Sequence, residues 1–175
     1  MKFLTLILIL FFSILALNYF LPSCYFSKPT EIENSQVKAV FSPGNSENEI
    51  ISLMNSAKSD IKIEMFEFSY KPLKESLLEA KKRGVSVRVI LDRQSNQNKD
   101  TFDFLKENGI DVKWAPSKFN ILHSKFAIID NKIVLVGSVN WSKNGMQKNR
   151  EASVIIYSEN LAKEFENIFN KDWES

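Results

Sequence analysis

The segment ILHSKFAIIDNKIVLVGSVNW, residues 121–141, holds the chain's single histidine, His123, with a lysine two positions on and an aspartate seven positions on. Imidazole attacks an electrophile or exchanges a proton near neutral pH, and an ammonium group supplies a fixed positive charge. On an extended strand alternate residues share a face, so His123 and Lys125 point together while Asp130 does not. A turn centred on Asn131 and Lys132 would pair Asp130 with Ile133, setting Lys125 opposite Ser138 and His123 opposite Asn140. That face would gather an imidazole, an ammonium, a hydroxyl and an amide, a set suited to a tetrahedral oxyanion such as a phosphate ester. Gly137 would allow close backbone approach at that point.

The order His123-x-Lys125, Asp130, Gly137-Ser138-x-Asn140, at these offsets, resembles the signature of the phospholipase D superfamily: the HKD motif with its GS-x-N extension. The FSP strand at 41–43, the RGV-x-V-x-VILD segment and Asn149-Arg150-Glu151 look like its small single-motif members, which include bacterial nucleases and the mitochondrial cardiolipin hydrolase and nuclease. The resemblance covers residues 37–172. It implies a phosphoric diester hydrolase in which one histidine attacks phosphorus, giving a phosphohistidine. A second histidine protonates the leaving oxygen and then activates water. By the same resemblance Lys125 and Asn140 bind the phosphate, Ser138 supports it, and Glu151 accepts a hydrogen bond from histidine and fixes its tautomer. Asp130 belongs to the motif, although its parity points to stabilising the hairpin. Lys143 is a further cation for substrate binding.

Two histidines are needed and this chain has one, with no internal repeat to supply another. Chemistry would therefore need a homodimer that brings two copies of His123 to one site on the two-fold axis. No cofactor and no metal is expected, because one histidine and one remote cysteine offer no cluster with zinc-ligand spacing.

The elements that must position these groups are legible from periodicity. VKAVFSP reads as a strand ended by Pro43, and Ser46 to Glu49 has the capping-box pattern that opens a helix. IKIEMFEF alternates as a strand. A helix through Leu73, Leu77 and Ala80 stops at Gly84; the strand 85–92, a helix at 100–108 and the strand 110–115 follow. The hairpin at 121–139, a strand at 152–158 and an amphipathic helix from Asn160 to Trp173 complete the chain. The order β-α-β-α-β-α-β before the hairpin implies an α/β fold with a mixed, largely parallel sheet flanked by helices, as a single domain over 37–175.

Residues 1–22 stand apart: Lys2 precedes an apolar run long enough for a signal peptide or a membrane anchor. Either would export the domain, since Lys2 holds the leading side in the cytoplasm. The expected location is periplasmic, or the outer face of the cell membrane. Residues 23–36 read as a linker, and Leu21-Pro22-Ser23-Cys24 resembles a lipobox that would lipidate Cys24.

Apart from Lys2 and Lys28 at the leader, basic and acidic residues are equal in number, which excludes a globally basic nucleic-acid binder. Between Lys118 and Arg150, however, six basic residues face one acid, Asp130, so a local patch for a phosphate-bearing partner is expected. Trp114, Phe119 and Trp141 could stack on bases if exposed. The leading expectation is a membrane-tethered endonuclease acting on DNA or RNA. A phospholipase D acting on phospholipid or cardiolipin head groups is the alternative, and a non-catalytic nucleic-acid-binding module a third possibility. A hydrophobic rim at the cleft would favour lipid, and a long cationic groove nucleic acid.

Overall fold

The computed structural model describes residues 36–175. The expected leader, Cys24 and the expected linker through residue 35 lie outside the described residues, and Gln36, the last linker residue expected, opens the first strand. The elements are β1 (Gln36–Ser42), α1 (Ser46–Ser56), β2 (Asp60–Met65), α2 (Lys71–Lys82), β3 (Ser86–Leu91), α3 (Asn98–Glu107), β4 (Asp111–Trp114), β5 (Lys125–Ile129), β6 (Ile133–Gly137), α4 (Lys143–Gln147), β7 (Glu151–Tyr157) and α5 (Glu159–Trp173). Among these residues no helix is long and apolar enough to cross a membrane.

One seven-stranded sheet runs in the order β1-β7-β6-β5-β2-β3-β4. It is mixed and flanked by helices, as expected, but its parallel pairs are confined to β2–β3 and β3–β4; the other four pairings are antiparallel. The helical crossovers α2 and α3 make β2, β3 and β4 parallel neighbours. β5 takes the free side of β2 in the opposite direction, and the hairpin and β7 then extend the sheet antiparallel. β1 closes the far edge against β7, so the first β-α-β passage does not place neighbours side by side.

Both faces of the central strands are covered, which is why β5 is buried at every position. On one face Ile61, Ile63, Val87, Val89, Ala127 and Ile129 pack against the apolar stripes of α1 and α2, including Ile50, Met54, Leu73 and Leu77. On the other, Ile90, Phe126, Ile128 and Val134 meet Ala162 and Phe169 of α5. The capping box does not form. Asn45, not Ser46, precedes α1, and the Ser46 hydroxyl is engaged with that of Ser42 at 2.6 Å. Glu49 pairs instead with Lys38 at 2.6 Å.

The hairpin turn falls one residue earlier than expected. Asp130 and Asn131 both take φ of 53°, and the Lys132 amide donates to the Ile129 carbonyl at 3.0 Å. Aspartate and asparagine tolerate left-handed backbone better than lysine, so the turn centres on them. Ile129 consequently pairs with Ile133, and the pairings expected for Lys125 and His123 shift by one.

Candidate active site

His123 lies just before β5 and not within it, in an extended segment where the carboxyl end of β2 meets the start of β5. Neighbours on both sides fix that segment. The Leu122 amide donates to the buried Asp92 carboxylate at 2.6 Å, and the Phe66 amide donates to the Ser124 carbonyl at 3.0 Å. The His123 ring is exposed and leans on Phe66, centroid to centroid 4.7 Å. Lys125 is nearly buried: its ammonium donates to the His123 carbonyl at 2.8 Å and lies 5.2 Å from the same Phe66 ring. Burial pulls its pKa down, and the nearby Glu151 and Glu67 carboxylates offset part of that. Phe66 thus seats both groups, a role hidden in the sequence because it reads as one more alternating strand residue.

Asn140 reaches the same place by another route. The next residue, Trp141, is buried edge-on against Phe68 at 5.0 Å, and its amide donates to the Glu67 carbonyl at 2.9 Å. The Trp141 carbonyl accepts from Ser69 and Tyr70, both at 2.8 Å, so the loop carrying Asn140 is stitched to the segment that carries Phe66. Gly145 lets α4 close on it, since a Cβ there would stand 2.2 Å from the Asn140 carbonyl oxygen. The Asn140 side-chain oxygen is buried and has no hydrogen-bond partner among the described residues. That oxygen can accept from a donor, while the N–H groups of the same carboxamide are the ones able to meet an oxyanion.

Ser138 and Glu151 form a pair of their own. The Ser138 hydroxyl donates to the Glu151 carboxylate and accepts from the Ala152 amide at 3.1 Å, and Asn149 donates to Glu151 at 3.4 Å. Glu151 is therefore held by Ser138 and Asn149, and it bears on Lys125 through its charge. No hydrogen bond joins it to His123 among the described residues, in contrast to the expected tautomer-fixing contact. Gly137 permits close approach, though to β7 and not to a ligand: a Cβ would meet Ser153 Oγ at 2.2 Å and Ala152 O at 2.5 Å.

One expected residue, Asp130, lies elsewhere. Asp130 stands at the opposite end of β5, five residues from Lys125 and roughly 16 Å along a strand. Its carboxylate accepts the amides of Lys58, Ser59 and Asp60 at 2.7–3.1 Å, a structural clasp. Lys143 is exposed at the start of α4, behind Ser142, whose hydroxyl caps that helix. The basic run does not form one patch either. Lys132 at the hairpin turn pairs with Glu159 at 3.3 Å and Lys118 with Asp172 at 3.2 Å, while Lys143, Lys148 and Arg150 are exposed around α4. Trp141 is core, Trp114 is half-buried, and Phe119 is 40% exposed.

Sequence reasoning also missed Glu64. It is 1% exposed on β2, bonds to Ser124 between His123 and Lys125, and has one carboxyl oxygen without a partner. Burial, reinforced by the charge of Asp172 and opposed by the Ser124 bond, raises its pKa to about 7. Beside His123 and Lys125 opens a groove of about 450 Å³, walled by Phe126, Val136, Phe165 and Ile168. Cross-strand register continues that wall from Val136 to Val154 and Ala39, next to Val37 and Phe41, which are 56% and 47% exposed.

The fold and site define an α/β protein whose His123 and Lys125 lie where the carboxyl end of β2 meets the start of β5, with the loop after β6 bonded to the same segment. Residues 50–173 match the family described as cardiolipin synthase, PLD-like domain, and the chain belongs to the phospholipase D superfamily. It is 32% identical over 121 residues to a mitochondrial cardiolipin hydrolase of Danio rerio, covering 69% of this chain and 53% of that protein. A phospholipase D of Rickettsia conorii is 30% identical over 142 residues, covering 78% of this chain and 68% of the relative. The chain thus spans about half the length of the cardiolipin hydrolases it matches. Among solved structures, the phospholipase D family member Nuc from Salmonella typhimurium superposes with a TM-score of 0.76 at 29% identity, covering 80% of this chain and 95% of that one. NucT from Helicobacter pylori gives 0.71 at 26% identity, covering 81% and 97%.

Proposed function

We propose that this chain is a metal-independent phosphodiesterase that works as a homodimer and cleaves nucleic acid, DNA or RNA, as an endonuclease. The observation that carries the phosphodiester chemistry is the meeting of Lys125 and His123 on one Phe66 ring, with the loop bearing Asn140 bonded through Trp141 to the adjacent Glu67. Lys125 and Asn140 would bind the two non-bridging oxygens, one by charge and one by an amide hydrogen bond. A His123 ring nitrogen attacks phosphorus while the imidazolium of the second copy's His123 gives its proton to the leaving oxygen, breaking the P–O bond. That second imidazole, now neutral, takes a proton from water as the water oxygen attacks phosphorus. The P–N bond breaks, releasing a phosphomonoester and the first histidine.

The apolar wall beside His123 supports the dimer, because a second copy seated there would cover it and bring its own histidine close. The compact one-motif architecture, shared with Nuc and NucT over nearly their whole length, supports the nucleic-acid reading, as do the exposed cations around α4. The same wall favours a second reading, a phospholipase D in which an acyl chain lies along Phe165 and Ile168. Export and tethering by residues 1–22 rest on Lys2 and the apolar run that follows it.

The test compares residues 29–175 with their His123→Ala variant in EDTA on labelled single-stranded DNA, duplex DNA, RNA, phosphatidylcholine and cardiolipin. His123-dependent cutting of nucleic acid with intact lipid is the expected result. Lipid hydrolysis alone would transfer the site to the second reading, and no turnover by a folded dimer would remove the enzyme reading.

A further inference from the structure

The loop after β3 holds a second polar cavity, about 300 Å³, lined by Arg93, Ser95, Asn96, Lys99 and Trp114. It opens at the carboxyl ends of the parallel strands β3 and β4, where open α/β sheets collect ligands. The Arg93 guanidinium is exposed and lies 5.7 Å from the Trp114 ring centroid, and Trp114 is itself stacked flat on Phe102 at 4.3 Å. The ring face attracts the cation while its exposed N–H fork stays in water, free to receive phosphate. Among the described residues no carboxylate pairs with Arg93. The adjacent Asp92 is spent on the amides of Leu122 and Gln94, and Lys99 is paired with Asp103.

The loop is rigid and joined to the histidine. Asn98, fully buried, accepts from the Phe68 amide and donates to the carbonyls of Phe66 and Asp92, each at 2.8 Å. Asp92 holds Leu122, the residue before His123, and the Gln94 side chain donates to the Asn120 carbonyl. In the chain from Trp114 to His123 comes the exposed Phe119, with the Lys118 ammonium 5.0 Å from its ring.

We infer that the Arg93–Trp114 cavity is a subsite for single-stranded nucleic acid, in which Arg93 takes a phosphate flanking the scissile one and Phe119 stacks on an intervening base. It deepens the nuclease reading and rests on it. A single strand is required because a base must turn out of its stack to meet Phe119.

The test measures kcat/KM of the full chain and its Arg93→Ala and Arg93→Lys variants on two substrates, a labelled single-stranded oligonucleotide and bis(4-nitrophenyl) phosphate, which has no flanking phosphate. For Arg93→Ala the ratio of oligonucleotide to small-diester activity should fall about tenfold, the size of one charge-assisted contact. The salt dependence of oligonucleotide binding, log K against log salt, should lose a slope of about 0.7. Arg93→Lys should keep that slope and recover part of the ratio. An unchanged ratio in a wild-type enzyme that cuts the oligonucleotide overturns the subsite alone. A wild-type enzyme that hydrolyses the small diester and lipid but no nucleic acid overturns it together with the nuclease reading.

Discussion

The Lys125 ammonium donates to the backbone carbonyl of His123 at 2.8 Å, so the cation that would meet a phosphate is tethered to the residue that would attack it. The contact lies within one chain, between residues two positions apart. A lysine that reaches back in this way has a fixed head and little freedom to lose on binding. Its side chain is also largely withdrawn from water, which strengthens its pull on an anion.

Replacing Lys125 with methionine keeps the apolar stem and removes the charge. Hydrolysis of bis(4-nitrophenyl) phosphate should fall in kcat by about 100-fold or more, the loss typical of one transition-state charge donor. Circular dichroism should show the fold unchanged. Arginine should rescue little, because its planar head does not fit beside Phe66 and the His123 carbonyl.

Asp130 gives a prediction of the opposite kind. Asp130→Ala should cost about 1–3 kcal/mol of stability by freeing the three amides it clasps, with kcat on the small diester close to wild type. Burial alone would raise the pKa of this carboxyl, but the Ser59, Lys58 and Asp60 hydrogen bonds outweigh that and lower it. Its contribution is therefore present above the ordinary carboxylate pKa and lost as pH falls through the depressed folded value. Urea unfolding of both proteins across the acid range checks this: the difference between them should shrink at low pH.

The contrast between Asp130 and Lys125 shows what the sequence could carry. Strand parity separates Asp130 from the site because the two-residue period of a strand is local geometry. The helices and strands were likewise legible from apolar spacing, down to the stop at Gly84, where φ is +88°. The register of the hairpin was not, because it turned on whether Asn131-Lys132 or Asp130-Asn131 takes the left-handed positions. Nor was the antiparallel share of the sheet, which depends on which strand occupies the free side of β2, a long-range choice. Phe66, Asp92 and Glu64 support the site from distant strands, and no local pattern marks them.

Glu64 predicts an inverted pH dependence. Its folded pKa of about 7 lies above the ordinary 4.5, so the folded state holds a proton that the unfolded chain releases. Stability from this group is fully present below 4.5, declines as pH rises toward 7, and is flat above that. The full change is about 3 kcal/mol. Glu64→Gln, a neutral copy of the protonated acid, should be more stable than wild type at pH 8 and lose that slope in urea titrations. A wild-type protein with no such decline would show that the carboxyl is ionised throughout.

Gly137→Ala tests the closeness of β6 and β7. The new Cβ would stand within 2.5 Å of Ser153 and the Ala152 carbonyl, where backbone must yield. A loss of about 2 kcal/mol or more is expected from overpacking, read as a lower midpoint in urea. An unchanged midpoint would mean that β7 moves away freely.

The shared active site is tested most directly by mixing wild-type protein with His123→Ala at fixed total concentration, allowing subunits to exchange, and measuring hydrolysis of bis(4-nitrophenyl) phosphate. If both copies of His123 serve one reaction, only wild-type pairs are active and the rate falls with the square of the wild-type fraction. A rate that falls in direct proportion to that fraction would mean that each chain acts alone, and would contradict the account.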